Sequence, residues 1–284
     1  MTNLLIGCFT TLAHATTSDV PALPLLQVSG LACRRGADWL FRDLNFAVRP
    51  GQLVWLRGHN GSGKTTLLRA VSGLTDPDEG HLTWAASSHA AHEPRSQRLV
   101  YVGHLNAMKD DLTVCESLQF IARLHGQDGS RPRVLEALRL LGMHHRRNAA
   151  VRTLSQGQRR RAALAKLLAE APELMLLDEP TNHLDIQAIE WLETELRDTR
   201  TAFVLISHDR AFLRALTRAT LWIDRGEVRR REQGFDGFEE WRETVWAEED
   251  EARHKLERKI KAEAKWAVEG ISARRKRNMG RVRA

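Results

Sequence analysis

The stretch Gly58-His59-Asn60-Gly61-Ser62-Gly63-Lys64-Thr65 decides the fold of this chain, because it matches the phosphate-binding pattern G-x-x-x-x-G-K-[ST]. An apolar run, residues 53–56, precedes it, and residues 66–70 begin a helical pattern. Strand, glycine loop and helix thus follow in the order that a phosphate loop requires. Glycines let backbone N–H groups approach a phosphate without obstruction from Cβ, and a helix N-terminus adds partial positive charge. The stretch therefore predicts a nucleotide site.

Side chains of the loop complete this predicted site. Lys64 can reach the β- and γ-phosphates, and the Thr65 hydroxyl can ligate Mg²⁺. We expect the loop to bind ATP through Gly58, Asn60, Gly61, Ser62, Gly63, Lys64, Thr65 and Thr66.

Two adjacent carboxylates follow a second apolar run, Leu174 to Leu177. Successive strand residues point in different directions, so Asp178 and Glu179 can serve different purposes. We expect Asp178 to hold Mg²⁺ and Glu179 to polarise the water that attacks the γ-phosphate. Their position after the glycine loop favours this interpretation over an ordinary charged strand end.

A histidine ends a third apolar run, residues 202–206. The imidazole of His208 can donate to the γ-phosphate and hold the water and Glu179 in line. A lone histidine is usually structural, but its place at a strand end beside the other two motifs favours a catalytic role.

Together these motifs resemble the ATP-binding cassette (ABC) family, whose signature is matched by Leu154-Ser155-Gln156-Gly157-Gln158. The resemblance covers residues 25–227 and implies that two cassettes face each other head to tail. Ser155, Gly157 and Gln158 would then close on the ATP of a second cassette. Residues 181–185 match the segment that crosses this interface, which assigns Asp185 to the composite site.

Two positions depart from the usual pattern of the family. Arg35 stands where most members have an aromatic residue that stacks on adenine, and a guanidinium plane can stack too. His104 stands where most have a glutamine that contacts Mg²⁺. We expect His104 to hydrogen-bond the attacking water.

The two ends of the cassette resemble different branches of the family. Residues 25–180 resemble the haem-exporter ATPases of bacterial cytochrome c maturation, the CcmA group, which implies permease subunits as partners. Residues 174–284 resemble ABC-F proteins of the Uup type, which act on ribosomes or nucleic acid. The chain therefore resembles a hybrid of the two branches, joined near residues 174–180. Three origins remain open: a natural fusion, a gene truncated before its second cassette, or an artificial sequence.

The charge of the chain is unevenly distributed. From Arg253 onward twelve Lys and Arg stand against three Asp and Glu, which leaves the rest of the chain at about −2 of the total +7. This basic tail, residues 253–284, is either a solvated charged helix or a surface that binds ribosomes or RNA.

The order of the motifs predicts an α/β fold with a mostly parallel sheet. The resemblance to the ABC family implies that this fold is a P-loop ABC cassette with antiparallel N-terminal strands. We expect an ATPase domain at 25–230, with a helical subdomain at about 104–157. In that insert Leu118, Ile121, Ala122 and Leu124 share one apolar face, and Val134, Leu135, Leu138 and Leu141 share another. Residues 231–284 are expected to form an exposed, charged helical extension.

Residues 4–15 superficially resemble a signal peptide but lack its basic beginning, so we expect a disordered or misassigned start over residues 1–24. The three scattered cysteines have no metal-ligand spacing, which fits a reducing compartment. No apolar run approaches the roughly 18 to 20 residues of a membrane span. We expect a cytoplasmic protein that reaches the inner face of the cell membrane through its partners.

Overall fold

The computed structural model describes residues 23–85, 98–103, 108–126, 128–169 and 172–281. The predictions for residues 1–22 and for His104 lie outside these ranges. The strands are β1 (Leu26–Arg35), β2 (Asp38–Val48), β3 (Leu53–Gly58), β4 (Glu79–Trp84), β5 (Leu99–Val102), β6 (Leu174–Asp178), β7 (Ala202–Ile206), β8 (Ala219–Asp224) and β9 (Glu227–Arg231). The helices are α1 (Lys64–Ser72), α2 (Val114–Leu124), α3 (Arg131–Leu140), α4 (Gln156–Ala169), α5 (Ile186–Asp198), α6 (Arg210–Leu216) and α7 (Phe238–Arg281).

Two sheets form the body of the described chain. The larger has the strand order β5-β6-β7-β3-β8-β9 and is parallel except for β9, and the smaller is antiparallel with the order β2-β1-β4. The predicted α/β cassette fold with antiparallel N-terminal strands is confirmed. In the parallel sheet, β3, β6 and β7 are neighbours, so their carboxyl ends meet at one edge and bring the three motifs together.

The central strands are buried on both faces, which explains their continuous apolar sequences. In β6, Leu174 and Leu176 pack toward the antiparallel sheet and α1, while Met175 and Leu177 pack toward the helices on the opposite face. The core thus has two layers with the parallel sheet between them.

The sequence reading missed two strands. Residues 219–224 form β8, and the charged segment Glu227–Arg231 forms β9 at the edge of the sheet. Nothing in the alternation of β9 marks it as a strand. It is held by antiparallel pairing with β8 and by a hydrogen bond from Arg230 to the carbonyl of Ala47 on β2.

The helical insert packs α2 and α3 against α4. A capping box begins α2, in which the Thr113 hydroxyl accepts from the backbone N–H of Glu116 at 3.2 Å and the Glu116 carboxylate accepts from the N–H of Thr113 at 2.9 Å. Leu118, Ile121 and Ala122 are buried as predicted. Leu124, the last residue of α2, is instead 66% exposed.

An aromatic cluster anchors the base of α7 to the sheet. Its rings lie with centroids 5.2 to 6.1 Å apart and belong to Trp55, Trp222, Phe235, Phe238, Trp241 and Trp246. Beyond this aromatic cluster the helix leaves the body, and Leu256 and Ile260 are more than half exposed. No helix within the described residues is long and apolar enough to cross a bilayer.

Candidate nucleotide site

The glycine loop joins β3 to α1 and is shaped around Lys64. The ammonium group of Lys64 donates to the carbonyls of Gly58 at 2.9 Å and His59 at 3.0 Å, which curls the loop around the side chain. Gly63 begins α1 with φ at 93°, a left-handed conformation that favours glycine. Burial, opposed by Glu179, lowers the pKa of Lys64. The loop thus presents a partly desolvated cation where a phosphate would lie.

The structure brings together the two predicted magnesium ligands. The Thr65 hydroxyl donates to Oδ2 of Asp178 at 2.9 Å, and Asp178 is buried. Hydroxyl and carboxylate oxygens are the ligands that Mg²⁺ prefers, and the donor set here fits that ion. The described residues contain no group of three or more His, Cys, Asp and Glu that could hold a metal. In nucleotide sites Mg²⁺ is usually held by one or two protein ligands together with waters and substrate phosphates.

Glu179 and His208 also meet at this edge. Nε2 of His208 lies 3.2 Å from Oε1 of Glu179. Burial raises the pKa of Glu179, with the charge of His208 acting against it. Oε2 of Glu179 is buried and has no hydrogen-bond partner among the residues that the structure describes. This second oxygen therefore keeps an unfilled capacity to accept a hydrogen bond.

These groups line one cleft of about 620 Å³. Of the predicted ligands, Asn60, Gly61, Gly63, Lys64, Thr65, Thr66 and Arg35 line it, together with Asp178, Glu179 and His208. Leu40 and Arg69 also line the cleft, and neither is marked by a motif.

The signature residues lie at the beginning of α4 and do not line this cleft. Oγ of Ser155 accepts from the N–H of Gln158 at 3.2 Å, and the Gln158 side chain accepts from the N–H of Ser155 at 3.1 Å. This reciprocal pair forms a capping box. The box satisfies backbone N–H groups at the start of α4, and the predicted role of the signature at a second cassette stays a prediction.

The segment after β6 packs against this helix N-terminus. A Cβ at Gly157 would lie 2.7 Å from the carbonyl oxygen of His183, so glycine is needed there. Asp185 caps α5 by accepting from the N–H of Ala188 at 3.0 Å and pairs with Arg161. Asp185 does not line the cleft, and its predicted role at an interface stays a prediction.

The predicted site residues do not include Tyr101 and Arg160, which the structure places beside Asp178. The Tyr101 hydroxyl lies 3.5 Å from Oδ2 of Asp178, and burial next to this carboxylate raises the pKa of Tyr101 to about 12. Arg160 is buried beneath the end of β6 and bonds to its backbone carbonyls. The roles predicted for individual residues of the site stay predictions.

Comparison with known families finds a match to the sequence profile described as ABC transporter over residues 41–182. The "Cytochrome c biogenesis ATP-binding export protein CcmA" of Cupriavidus necator is 44% identical over 177 residues, which cover 62% of this chain and 78% of that protein. The protein of the same name from Nitrosococcus oceani is 45% identical over 182 residues, covering 64% and 83%.

A relative from another branch covers more of the chain. The "ATP-binding protein Uup" of Caulobacter vibrioides is 36% identical over 261 residues, 92% of this chain. The chain spans 40% of the length of that relative. Both resemblances expected from the sequence, to the CcmA group and to Uup, are confirmed.

Solved structures show the same fold. A dimeric ATP-binding cassette bound to ADP and Pi superimposes with a TM-score of 0.63 at 23% identity, covering 73% of this chain and 98% of the other. An ATP-binding subunit of an ABC transporter superimposes with a TM-score of 0.66 at 24% identity, covering 73% and 90%.

Proposed function

Because the chain belongs to the ABC transporter family and is an ABC-type ATPase, we propose that it hydrolyses ATP in a head-to-tail cassette dimer as the energising subunit of a haem-exporter-like transporter. The observation that supports the chemistry most strongly is the meeting of Thr65 with Asp178, and of Glu179 with His208, around Lys64 in one cleft.

The residues of the cleft divide the chemistry among them. Lys64 and the backbone N–H groups of the loop hold the β- and γ-phosphates. Mg²⁺ held by Thr65 and Asp178 would neutralise the charge that develops on the phosphates. Glu179, with Oε1 beside His208, orients the attacking water and accepts its proton. Arg35 and Leu40 line the cleft where we place the adenine.

A second cassette completes the proposed site. Ser155, Gly157 and Gln158 form a rigid helix N-terminus away from the cleft of their own chain. Such an N-terminus suits the γ-phosphate of a facing subunit. The fold neighbours include a dimeric cassette, which supports this arrangement.

An exposed apolar patch on α2 supports a permease as partner. Phe120 is 45% exposed and Leu124 is 66% exposed, and the ammonium group of Lys109 lies 4.9 Å from the Phe120 ring centroid.

The division into an ATPase domain at 25–230 and an extension at 231–284 belongs to this proposal. The location of the protein at the inner face of the cell membrane, which it would reach by binding the permease, belongs to this proposal too.

The alternative function is an ABC-F-like action on ribosomes or RNA, and α7 favours it. This helix is 44 residues long, leaves the body after the aromatic cluster and includes most of the basic tail. Its length is about 66 Å at a rise of ~1.5 Å per residue. The 92% of the chain covered by the Uup relative supports this second candidate.

One experiment separates the two functions. Affinity purification of the full chain is compared with purification of Phe120→Asp and of a chain lacking residues 253–284. Membrane permease subunits that co-purify and are lost with Phe120→Asp support export. Ribosome co-sedimentation that falls steeply with salt and disappears with the deletion supports the alternative and contradicts the exporter proposal.

A further inference from the structure

Arg160 is a buried arginine whose guanidinium group donates to four backbone carbonyls. It lies on the second turn of α4, two residues after the signature, and is 3% exposed. It donates to the carbonyls of Asp178 at 2.9 Å, Glu179 at 2.7 Å and Pro180 at 3.3 Å. A fourth bond, at 2.6 Å, goes to the carbonyl of Gly103 after β5. The guanidinium fork therefore fixes three successive peptide groups at the end of β6.

The backbone at this turn needs such support. Glu179 has φ at 53°, a left-handed conformation that is uncommon for residues other than glycine. Conformations of this kind persist at functional sites only where the surroundings hold them in place. On one side the N–H of Glu179 donates to the carbonyl of Ile206 at 2.9 Å, and on the other its carbonyl accepts from Arg160. The direction of the Glu179 side chain thus depends on both bonds.

We propose that Arg160 is a positioning residue for ATP hydrolysis, which holds the left-handed turn at Glu179 and ties the signature helix to it. This inference rests on the proposed role of Glu179 as the base. Arg160 bonds at once to the turn after β6 and to the segment after β5, so a shift of α4 moves Glu179 with it. The signature that faces a second cassette and the base that acts on its own ATP are then mechanically linked.

The geometry of the guanidinium group, and not its charge alone, makes this link. Arginine offers five donors in a planar fork, whereas lysine offers three donors on one point charge. Arg160→Lys keeps the charge but cannot reach all four carbonyls. Arg160→Lys and Arg160→Gln should both lower kcat for ATP at least about tenfold, since misplaced catalytic groups lose rates of that order. The KM for ATP should change less than about twofold, because ground-state contacts of the nucleotide remain.

Arg98 offers a matched control. Arg98 is 6% exposed and likewise donates to a carbonyl, that of Ala85. It also donates to the carboxylate of Glu173, which precedes β6 at the end of the strand opposite the cleft. Arg98→Gln should lower the unfolding temperature as much as Arg160→Gln and leave kcat unchanged. Binding of a fluorescent ATP analogue reports whether each variant has folded.

A double-mutant cycle separates this inference from the function on which it rests. If Arg160 acts through Glu179, adding Arg160→Gln to Glu179→Gln should lower the residual hydrolysis no further. An undiminished rate in Glu179→Gln alone would remove the proposed base. A normal kcat in Arg160→Gln, restoration of kcat by Arg160→Lys, or additive losses in the double variant would overturn the positioning role while leaving Glu179 as the base.

Discussion

At the scale of single residues, the strained backbone of Glu179 is the feature that most directly prepares the cleft for chemistry. Its φ of 53° turns the chain at the end of β6, so that Asp178 points to Thr65 while Glu179 points to His208. Two adjacent carboxylates in regular strand would point to opposite faces of the sheet. The turn therefore lets both reach one cleft.

Glu179→Gln should abolish most hydrolysis and keep ATP binding, because the amide fills the same space but cannot accept a proton. General bases contribute about 100-fold or more to the rate. Phosphate release and binding of a fluorescent ATP analogue measure the two effects. Glu190→Gln, on the outer side of α5, serves as control. An unchanged turnover in Glu179→Gln would refute the assignment of the base.

The rate should also depend on pH through Glu179. Burial raises its pKa, so hydrolysis should fall as the pH falls through a value above the usual carboxyl range. The charge of His208 opposes this rise. Removing that charge in His208→Gln should therefore move the acid limb of the kcat profile to higher pH. The exposed His145→Gln is the control, and an acid limb that stays in place or moves lower would contradict the account.

Much of this cleft could be predicted from the sequence, because the phosphate loop and the two strand ends are local patterns. Thr65 and Asp178 meet as their motifs predict. Arg160 could not be found in this way, since its partners are carbonyls, which carry no sequence signal. Leu40 was missed because an apolar residue in β2 reads only as core.

At the scale of elements, the helical insert depends on a well-formed beginning of α2. The box of Thr113 and Glu116 satisfies the N–H groups that a helix N-terminus leaves free. The exposed Phe120 and Leu124, which form the proposed permease surface, lie on the same helix after this capping box. The stability of the helix start therefore affects how well this surface is formed.

Thr113→Ala should lower the free energy of unfolding by about 1 kcal/mol through loss of the cap. Urea denaturation followed by circular dichroism measures the change. Thr194→Ala is a matched control, because Thr194 lies inside α5 and bonds only to the carbonyl of Glu190 one turn earlier. Equal losses in both variants would show that the box contributes nothing specific.

The aromatic cluster should hold α7 to the body. Phe238 is buried against Trp55, Trp222 and Trp241, and Phe238→Ala should cost about 3 to 5 kcal/mol of stability. Trp266→Ala, at a 76% exposed position on the same helix, should change it by less than about 0.5 kcal/mol. Thermal unfolding compares the two. A small effect of Phe238→Ala would mean that the helix base is not part of the core.

Elements with strong periodicity were predictable and edge elements were not. The buried strand β7 has the predicted bounds, residues 202–206, since it is apolar throughout. The charged β9 forms only because β8 and Ala47 supply its partners. Leu124 continues the apolar face of α2 in sequence, but whether a partner covers it is decided by tertiary structure.

At the scale of the whole molecule, the chain has two parts that differ in net charge and in shape. The body is nearly neutral and contains the cleft, whereas the end of the chain carries a net charge of about +9 on a helix that leaves the body. A relative of each branch matches a different share of the chain. The proposed ATPase chemistry serves either proposed function, so the identity of the partner distinguishes the two proposals.

The central claim is that each ATP site is shared between two cassettes, and the mass of the Glu179→Gln protein by light scattering tests it most directly. Without nucleotide the chain should have the mass of a monomer, 32.2 kDa. With ATP and Mg²⁺ the mass should double, and it should remain that of a monomer when Ser155→Arg is added. An ATP-bound Glu179→Gln protein that stays monomeric, or one that dimerises equally well with Ser155→Arg, would contradict the composite site.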